Sequence, residues 1–213
     1  MKNILCFGDS NTWGYEPLVA RRYPADVRWT GVLQKVLGDG FRVIEEGLNG
    51  RTNVTNEEER PIRSGLDVLP VLLDSHRPLD LVVIMLGTND LKHDFDLSVE
   101  QIADGARQVC RCVIDCEYLV DNPPQILLIS PTHVELVTAE EQDLLIGAIE
   151  KSRELAEHYQ VVAEDLGIHF LDASKIVLKT DRDGVHWDAN QHHDFGVTLS
   201  GTIRKIIQRN WSS

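Results

Sequence analysis

The chain has 213 residues, of which 42% are hydrophobic and 26% are charged, a composition typical of a globular protein with one core. Its formal net charge is -13, and its Lys and Arg residues are scattered without a basic stripe, so nucleic acid is not an expected partner. No apolar run approaches the roughly 20 residues that a membrane-spanning helix needs, and the apolar run near the N-terminus is too short for a signal-peptide core. We therefore predict a single domain over residues 1–213 that is cytoplasmic and has no membrane partner.

Short apolar runs alternate with longer segments of helical pattern along the chain. Strands are predicted at residues 4–7, 41–45, 79–86, 125–129 and 168–171. Helices are predicted at about residues 29–37, 66–75, 99–119, 139–166 and 190–208, with Ser98 and Thr138 as N-caps. The alternation predicts an α/β fold in which helices cover both faces of a central parallel sheet of about five strands. Ligands bind at the carboxyl ends of the strands in such sheets, so functional residues are expected just after strands.

The first predicted strand ends at the segment Gly8-Asp9-Ser10-Asn11. A serine hydroxyl at this place can act as a nucleophile if a base lies beside it. Asp and Ser also favour simple turns because they hydrogen-bond locally, so the segment alone is weak evidence.

Two further loops follow the second and third strands. Gly50, in the pair Asn49-Gly50, offers an unobstructed backbone N–H. Asn89, in the segment Gly87-Thr88-Asn89-Asp90, can donate its side-chain amide to a developing oxyanion. Each loop by itself is equally well explained as a turn or a helix cap.

The late segment Asp183-Gly184-Val185-His186 can place a carboxylate against an imidazole. His186 would then accept the proton of Ser10, and Asp183 would orient the ring and stabilise its charged form. A lone pair of this spacing is often just a surface pair. Together with the three loops, however, it completes a set of nucleophile, base, orienting acid and oxyanion donors.

With these blocks the sequence resembles the SGNH subgroup of the GDSL hydrolase family. The blocks cover residues 7–12, 47–52, 87–90 and 183–186 in the order that the family has them, and Asn11 replaces the Leu of the name-giving motif. The segments at 12–15, 26–33, 45–48 and 85–90 are also similar to a bacterial arylesterase branch, which includes an enzyme known for acyl transfer and perhydrolysis in water.

The resemblance implies a flavodoxin-like three-layer α/β/α sandwich and no cofactor, and the residues themselves predict no metal site. It assigns the catalytic triad to Ser10, Asp183 and His186. It assigns the oxyanion hole to the Ser10 N–H, the Gly50 N–H and the Asn89 side chain. It also implies a homo-oligomer in which loops from neighbours narrow the active site. The substrate pocket is predicted at three residues close to the nucleophile, namely Asn11, Trp13 and Tyr15; for Trp13, packing in the core is an equally good explanation.

The expected function is hydrolysis of small esters with short acyl groups, aryl or acetyl esters among them, through an acyl-enzyme that can also pass its acyl group to another acceptor. Alternatives within the family are a carbohydrate acetyl esterase, a thioesterase and a lysophospholipase. A non-catalytic binding module on the same fold is a further alternative, because the fold does not determine function.

Other groups that could carry chemistry have simpler explanations. His192 and His193 are adjacent and would point about 100° apart on a helix, so a solvated helix face is favoured over a metal site. Cys110, Cys112 and Cys116 lack the paired spacing of structural zinc sites and are interpreted as small side chains turned partly inward on a helix.

The polar stretch at residues 53–63 is predicted to be a solvated surface loop. Arg51 and Asp90 adjoin the residues assigned to the oxyanion hole. A salt bridge between them that supports both loops is a further hypothesis.

Overall fold

A computed structural model describes residues 1–135, 139–180 and 182–209. Its strands are β1 (Lys2–Gly8), β2 (Tyr15–Glu16), β3 (Arg21–Arg22), β4 (Phe41–Gly47), β5 (Leu81–Met85), β6 (Gln125–Ser130) and β7 (His169–Asp172). Its α-helices are α1 (Ser10–Trp13), α2 (Trp29–Leu37), α3 (Gly65–His76), α4 (Val99–Ile114), α5 (Ala139–Leu144), α6 (Ala148–Leu166) and α7 (Ala189–Arg209).

Five of these strands form one parallel sheet in the order β4-β1-β5-β6-β7. The strands β2 and β3 form a separate antiparallel hairpin. The register pairs Gly8 of β1 with Gly47 of β4 and with Met85 of β5. The carboxyl ends of β4, β1 and β5 therefore lie side by side, and the loops that follow them meet at one edge of the sheet.

Side chains of the sheet alternate between two cores, because successive residues of a strand point to opposite faces. Leu5 and Phe7 of β1 pack in a core with α3, α4 and α6. Ile4 and Cys6 pack in a second core with α2 and α7. All five residues of β5 are buried, which explains its continuously apolar sequence. The predicted α/β/α sandwich around a five-stranded parallel sheet is confirmed.

Helix α4 begins as the sequence predicts. The Ser98 hydroxyl accepts the backbone N–H of Gln101, and the Gln101 side chain accepts the backbone N–H of Ser98, which forms a complete capping box. The other predicted N-cap, Thr138, lies outside the described residues.

Two predicted helices end differently in the structure. Helix α4 stops at Ile114, and the 3-10 turn Glu117–Leu119 follows it as a separate element. The segment at 139–166 is divided into α5 and α6, because Gly147 before α6 adopts a left-handed φ of 76° that interrupts a right-handed helix. Within the described ranges, none of the helices is both long enough and apolar enough to span a bilayer.

The structure also shows the burial of the predicted surface loop at residues 53–63 and of the three neighbouring cysteines. Residues 58–62 are exposed as predicted for a surface loop, but Asn53 is completely buried, so the prediction is wrong at the start of the loop. Cys110 is buried and Cys112 half-buried on α4, as the helix interpretation predicted. Cys116 is also half-buried against this core, but it lies beyond the end of α4, so the helix interpretation is wrong for this residue.

Candidate active site

Ser10 is the first residue of α1, and only Asp9 separates it from the end of β1. The Asp9 carboxylate caps this short helix by accepting the backbone N–H of Asn11 at 3.0 Å. Burial raises the pKa of Asp9 to about 6, and the hydrogen bond from Asn11 limits the rise. Helix α1 lies so close to β4 that a Cβ atom on Gly47 would be 2.1 Å from the backbone nitrogen of Trp13. Glycine at the end of β4 thus lets the serine turn rest on the sheet.

Ser10, His186 and Asp183 form a continuous chain of hydrogen bonds. The Ser10 Oγ lies 3.0 Å from the His186 Nε2, and the His186 Nδ1 lies 2.7 Å from the Asp183 Oδ2. In the tautomer that carries its proton on Nδ1, the imidazole donates to Asp183 and its Nε2 accepts the serine proton. The three side chains are thus arranged for proton transfer from the hydroxyl to the imidazole.

The carboxylate of Asp183 is fixed by its own segment. Its Oδ1 accepts the backbone N–H groups of Val185 at 3.0 Å and of His186 at 2.7 Å. Burial alone raises the pKa of Asp183, but the hydrogen bonds from His186 and the two amides outweigh it, so the pKa lies below its ordinary value. Asp183 therefore stays ionised opposite the imidazole.

The three predicted oxyanion donors lie at or after the carboxyl ends of β1, β4 and β5, which are side by side in the sheet. Within the described part of the chain, the backbone N–H of neither Ser10 nor Gly50 donates to a protein group. Gly50 has a φ of 79°, in the left-handed region that favours glycine. The side-chain Nδ2 of Asn89 donates one hydrogen to the backbone oxygen of Arg51 at 3.1 Å, which leaves its second hydrogen for another acceptor.

Arg51 and Asp90 do not form the hypothesised salt bridge, because each binds backbone instead. The Arg51 Nη1 donates to the carbonyl oxygen of Gly8 at 2.8 Å and to that of Glu46, and its guanidinium lies 4.2 Å from the ring centre of Phe7. Arg51 therefore joins the ends of β1 and β4. Burial lowers the pKa of Arg51 to about 10, so the group remains charged at neutral pH.

Asp90 belongs to a buried polar network beside the loops that follow β4 and β5, and the sequence analysis did not predict this network. Its two carboxylate oxygens accept the backbone N–H of Asn53 at 3.0 and 3.1 Å. The Asn53 side chain donates to the Tyr159 hydroxyl at 3.2 Å, and this hydroxyl donates to the carbonyl oxygen of Leu86 at 3.0 Å. In the sequence, only the position of Tyr159 among the apolar residues of α6 indicates a buried hydroxyl. Its partners, Asn53 and Leu86, are too distant in sequence to be identified from a local pattern.

The three residues predicted to line the pocket lie in different surroundings. The Tyr15 ring centre is 4.3 Å from that of His186, so Tyr15 covers one side of the imidazole. Trp13 is half-buried, with the Arg22 guanidinium 5.1 Å from its ring centre. Asn11 is only 3% exposed, and its side chain binds backbone groups next to His186.

His192 is completely buried, so the predicted solvated helix face is wrong for this residue and right only for the exposed His193. The His192 Nδ1 accepts the backbone N–H of Trp29 at 3.3 Å, and its ring packs edge-on against Trp187 and Tyr23. Burial lowers its pKa to about 3, so the ring is neutral. Elsewhere in the described ranges, no three His, Cys, Asp or Glu side chains are grouped to hold a metal ion.

Comparisons with known proteins show the family and the fold of this chain. A profile of the GDSL-like lipase/acylhydrolase family matches residues 6–194. The solved structure of the native aryl esterase of M. smegmatis is 37% identical, with a TM-score of 0.93 over 97% of this chain and 100% of that chain. The structure of Est24, a carbohydrate acetylesterase from Sinorhizobium meliloti, is 34% identical, with a TM-score of 0.92 over 97% of this chain and 100% of that chain. The comparison with curated proteins found no match.

The family match and the similar esterase structures show that the protein is a carboxylic ester hydrolase. Within that class the chain belongs to the SGNH/GDSL hydrolase family, the GDSL-like lipases and acylhydrolases.

Proposed function

We propose that the protein is a serine esterase that hydrolyses small esters with short acyl groups through a covalent acyl-enzyme. The observation that supports this most directly is the chain of contacts from Ser10 through His186 to Asp183, with distances of 3.0 and 2.7 Å. This arrangement supplies a nucleophile, its base and the acid that orients the base.

In the proposed reaction, the Ser10 Oγ attacks the ester carbonyl while the His186 Nε2 takes its proton. The negative charge that forms on the carbonyl oxygen is stabilised by the Ser10 N–H, the Gly50 N–H and the free N–H of Asn89. His186 then protonates the leaving alcohol. Water activated by His186 attacks the acyl-enzyme and releases the acid; an alcohol or hydrogen peroxide in place of water gives acyl transfer or perhydrolysis.

Two substrate classes have support from relatives with known names. The M. smegmatis relative is called an aryl esterase and the S. meliloti relative a carbohydrate acetylesterase. An aromatic ring beside the base, that of Tyr15, offers a flat apolar surface for either an aryl group or a sugar ring. The name of the S. meliloti relative specifies an acetyl group, which supports the short acyl group of the proposal.

The test replaces the nucleophile and compares substrates. Ser10→Ala should lower kcat on p-nitrophenyl acetate by about 10⁴-fold or more, because a triad without its nucleophile retains only residual activity. Ser200→Ala is a matched control, since Ser200 is also 6% exposed and lies on α7. Its kcat should equal that of the wild type. Wild-type activity in Ser10→Ala would contradict the triad assignment.

A substrate series separates the alternatives. Activity should fall from p-nitrophenyl acetate to the octanoate, and a long-chain optimum would instead favour a lysophospholipase or long-chain thioesterase. Release of acetate from an acetylated oligosaccharide at a higher kcat/KM than from phenyl acetate would favour the carbohydrate esterase. No turnover of any ester or thioester, with no labelling by a serine-directed phosphonate, would favour the non-catalytic binding module.

We further propose a cytoplasmic homo-oligomer. The cytoplasmic location is supported by four cysteines that are all free thiols, as a reducing compartment keeps them. The homo-oligomer follows the resemblance to the arylesterase branch, and light scattering of the purified protein would measure its mass.

A further inference from the structure

Asn11 follows the serine and uses both ends of its side-chain amide on the segment that carries the base. Its Nδ2 donates to the carbonyl oxygen of Val185 at 3.2 Å, and its Oδ1 accepts the backbone N–H of Trp187 at 3.0 Å. Val185 and Trp187 are the two neighbours of His186 in the chain. The amide thus binds the backbone immediately before and immediately after the base.

The two bonds of the Asn11 amide are buried, and the residues that form them are held in place by further hydrogen bonds. Asn11 is 3% exposed and Trp187 is completely buried, so water does not compete easily for either bond. The backbone N–H of Asn11 is itself held by Asp9 at 3.0 Å. The Trp187 indole is held by the Thr132 hydroxyl at 3.1 Å. Asn11 and Trp187 are therefore each held by a further hydrogen bond to another residue. We call the two bonds of the Asn11 amide, to Val185 and to Trp187, the clamp.

We propose that Asn11 is a positioning residue that locks the His186 backbone to the serine turn and so sets the distance between the Ser10 Oγ and the His186 Nε2. The inference rests on the proposed function, because it assigns Asn11 to the proton transfer between these two side chains. Asp183 fixes the direction of the imidazole ring, and Asn11 fixes the place of the backbone from which the ring extends.

This role differs from the pocket role that the sequence suggested for Asn11. A pocket residue needs a surface or a polar group turned to the substrate, whereas the amide oxygen and nitrogen of Asn11 are both engaged with backbone. A leucine, which the name-giving family motif has here, offers neither a donor nor an acceptor. The clamp is thus a property of this chain's own residue.

The chain contains a matched control far from the site. The Gln34 side chain on α2 makes the same pair of bonds to β4, because its Nε2 donates to the carbonyl oxygen of Phe41 at 3.0 Å and its Oε1 accepts the backbone N–H of Val43 at 2.8 Å. These residues lie at the amino end of β4, whereas the active site lies at the carboxyl ends of the strands. Gln34→Leu removes a comparable clamp without touching the serine or the base.

The kinetic experiment compares Asn11→Leu with Gln34→Leu on p-nitrophenyl acetate, butyrate and hexanoate. Asn11→Leu should lower kcat by about 10- to 100-fold, because a small displacement of a catalytic group has an effect of this size. The KM should stay within about twofold of the wild type and the loss should be the same for all three esters, because a positioning role acts on the chemistry and not on substrate fit. Gln34→Leu should lower the melting temperature and leave kcat unchanged.

Three kinetic results would overturn the inference: a wild-type kcat in Asn11→Leu, a loss that depends on acyl length or appears only in KM, or an equal loss of kcat in Gln34→Leu. If Asn11→Leu does not fold, Asn11→Ser replaces it. Serine is polar but too short to bind Val185 and Trp187 together, so the same loss of kcat is expected, and a wild-type kcat would overturn the inference.

A second measurement does not depend on esterase activity. Amide hydrogen exchange at Trp187 should be slow in the wild type, at least about tenfold faster in Asn11→Leu or Asn11→Ser, and unchanged in Gln34→Leu. Rapid exchange at Trp187 in the wild type would overturn the clamp even if the protein is an active esterase. Slow exchange in a wild type without any esterase activity would leave the clamp in place and reject the proposed function instead.

Discussion

At the scale of a single residue, the Asn89 amide shows how the protein orients a predicted oxyanion donor. One of its two N–H groups is bound to the backbone oxygen of Arg51, and this bond sets the orientation of the whole amide group. The second N–H then has a fixed direction before any substrate arrives. Fixed donors of this kind stabilise developing negative charge without the cost of reorientation.

We predict that Asn89→Ala lowers kcat for p-nitrophenyl acetate by about 10²- to 10³-fold, the typical effect of losing one oxyanion donor. The fold should be retained, because Asn89 is only half-buried. Circular dichroism measures the fold, and steady-state kinetics measure the rate. Asn3→Ala, which removes the bond from Asn3 to the Pro78 carbonyl at the opposite end of the sheet, should keep full activity. A loss below about threefold in Asn89→Ala would count against the oxyanion role.

Among elements, helix α6 has a second task besides packing on the sheet. Its Tyr159 hydroxyl reaches the carbonyl oxygen of Leu86, which follows β5, and accepts from Asn53, which follows β4. The same Asn53 side chain also donates to the Ile102 carbonyl of α4 at 3.4 Å. Two helices of one layer therefore hold the two loops that carry the predicted oxyanion donors.

We predict that Tyr159→Phe lowers the free energy of unfolding by about 1–3 kcal/mol, because the Leu86 oxygen and the Asn53 amide lose a buried partner. The kcat should also decrease, since the loops after β4 and β5 become less fixed. Urea unfolding at neutral pH gives the stability, with Tyr118→Phe as the control. Tyr118 is 49% exposed, so its change should stay within about 0.5 kcal/mol. Equal stability of the two variants would contradict a structural role for the Tyr159 hydroxyl.

At the scale of the whole molecule, buried ionisable groups make stability depend on pH in opposite directions. Burial lowers the pKa of His192 from 6.5 to about 3. Between about pH 3 and pH 6.5 the imidazole is therefore protonated in the unfolded chain and neutral in the folded chain. The contribution of His192 to the free energy of unfolding is fully present above about pH 6.5 and is lost as the pH falls toward 3. Burial raises the pKa of Asp9 to about 6 and of Asp90 to about 7, so both carboxyl groups favour the folded state as the pH falls.

Because these effects oppose each other, the wild-type pH curve does not isolate one group. We predict that the free energy of unfolding of the wild type, minus that of His192→Asn, decreases as the pH is lowered from 8 to 5. Asparagine is polar but does not titrate, so the difference isolates the histidine. Urea unfolding at four pH values measures it. A difference independent of pH would mean that His192 titrates normally in the folded protein, and that its burial does not control its charge.

The sequence alone determined that helices flank a parallel sheet, and it located the segments with Ser10, Asp183 and His186, the residues proposed as a triad. Apolar runs over β1, β5 and β6 have few alternatives to buried parallel strands, and the polar segments after strands fall at the carboxyl edge by topology alone. Local hydrogen bonding likewise made the Ser98 capping box predictable. The pairing of Asp183 with His186 needed nothing beyond short-range pattern, whereas the strand order β4-β1-β5-β6-β7 is seen only in the structure.

Tertiary structure decided what depends on partners distant in sequence. Asn11 and Val185 are separated by 174 positions, and Asn53 and Tyr159 by 106, so no local pattern indicates that either pair is bonded. Two further features depend on which surfaces the helical layers cover. His192 is buried, and Arg51 donates to backbone carbonyl oxygens instead of pairing with Asp90. A polar residue's type limits the bonds that it can form, but only the folded chain determines which groups come within 3 Å or so of it.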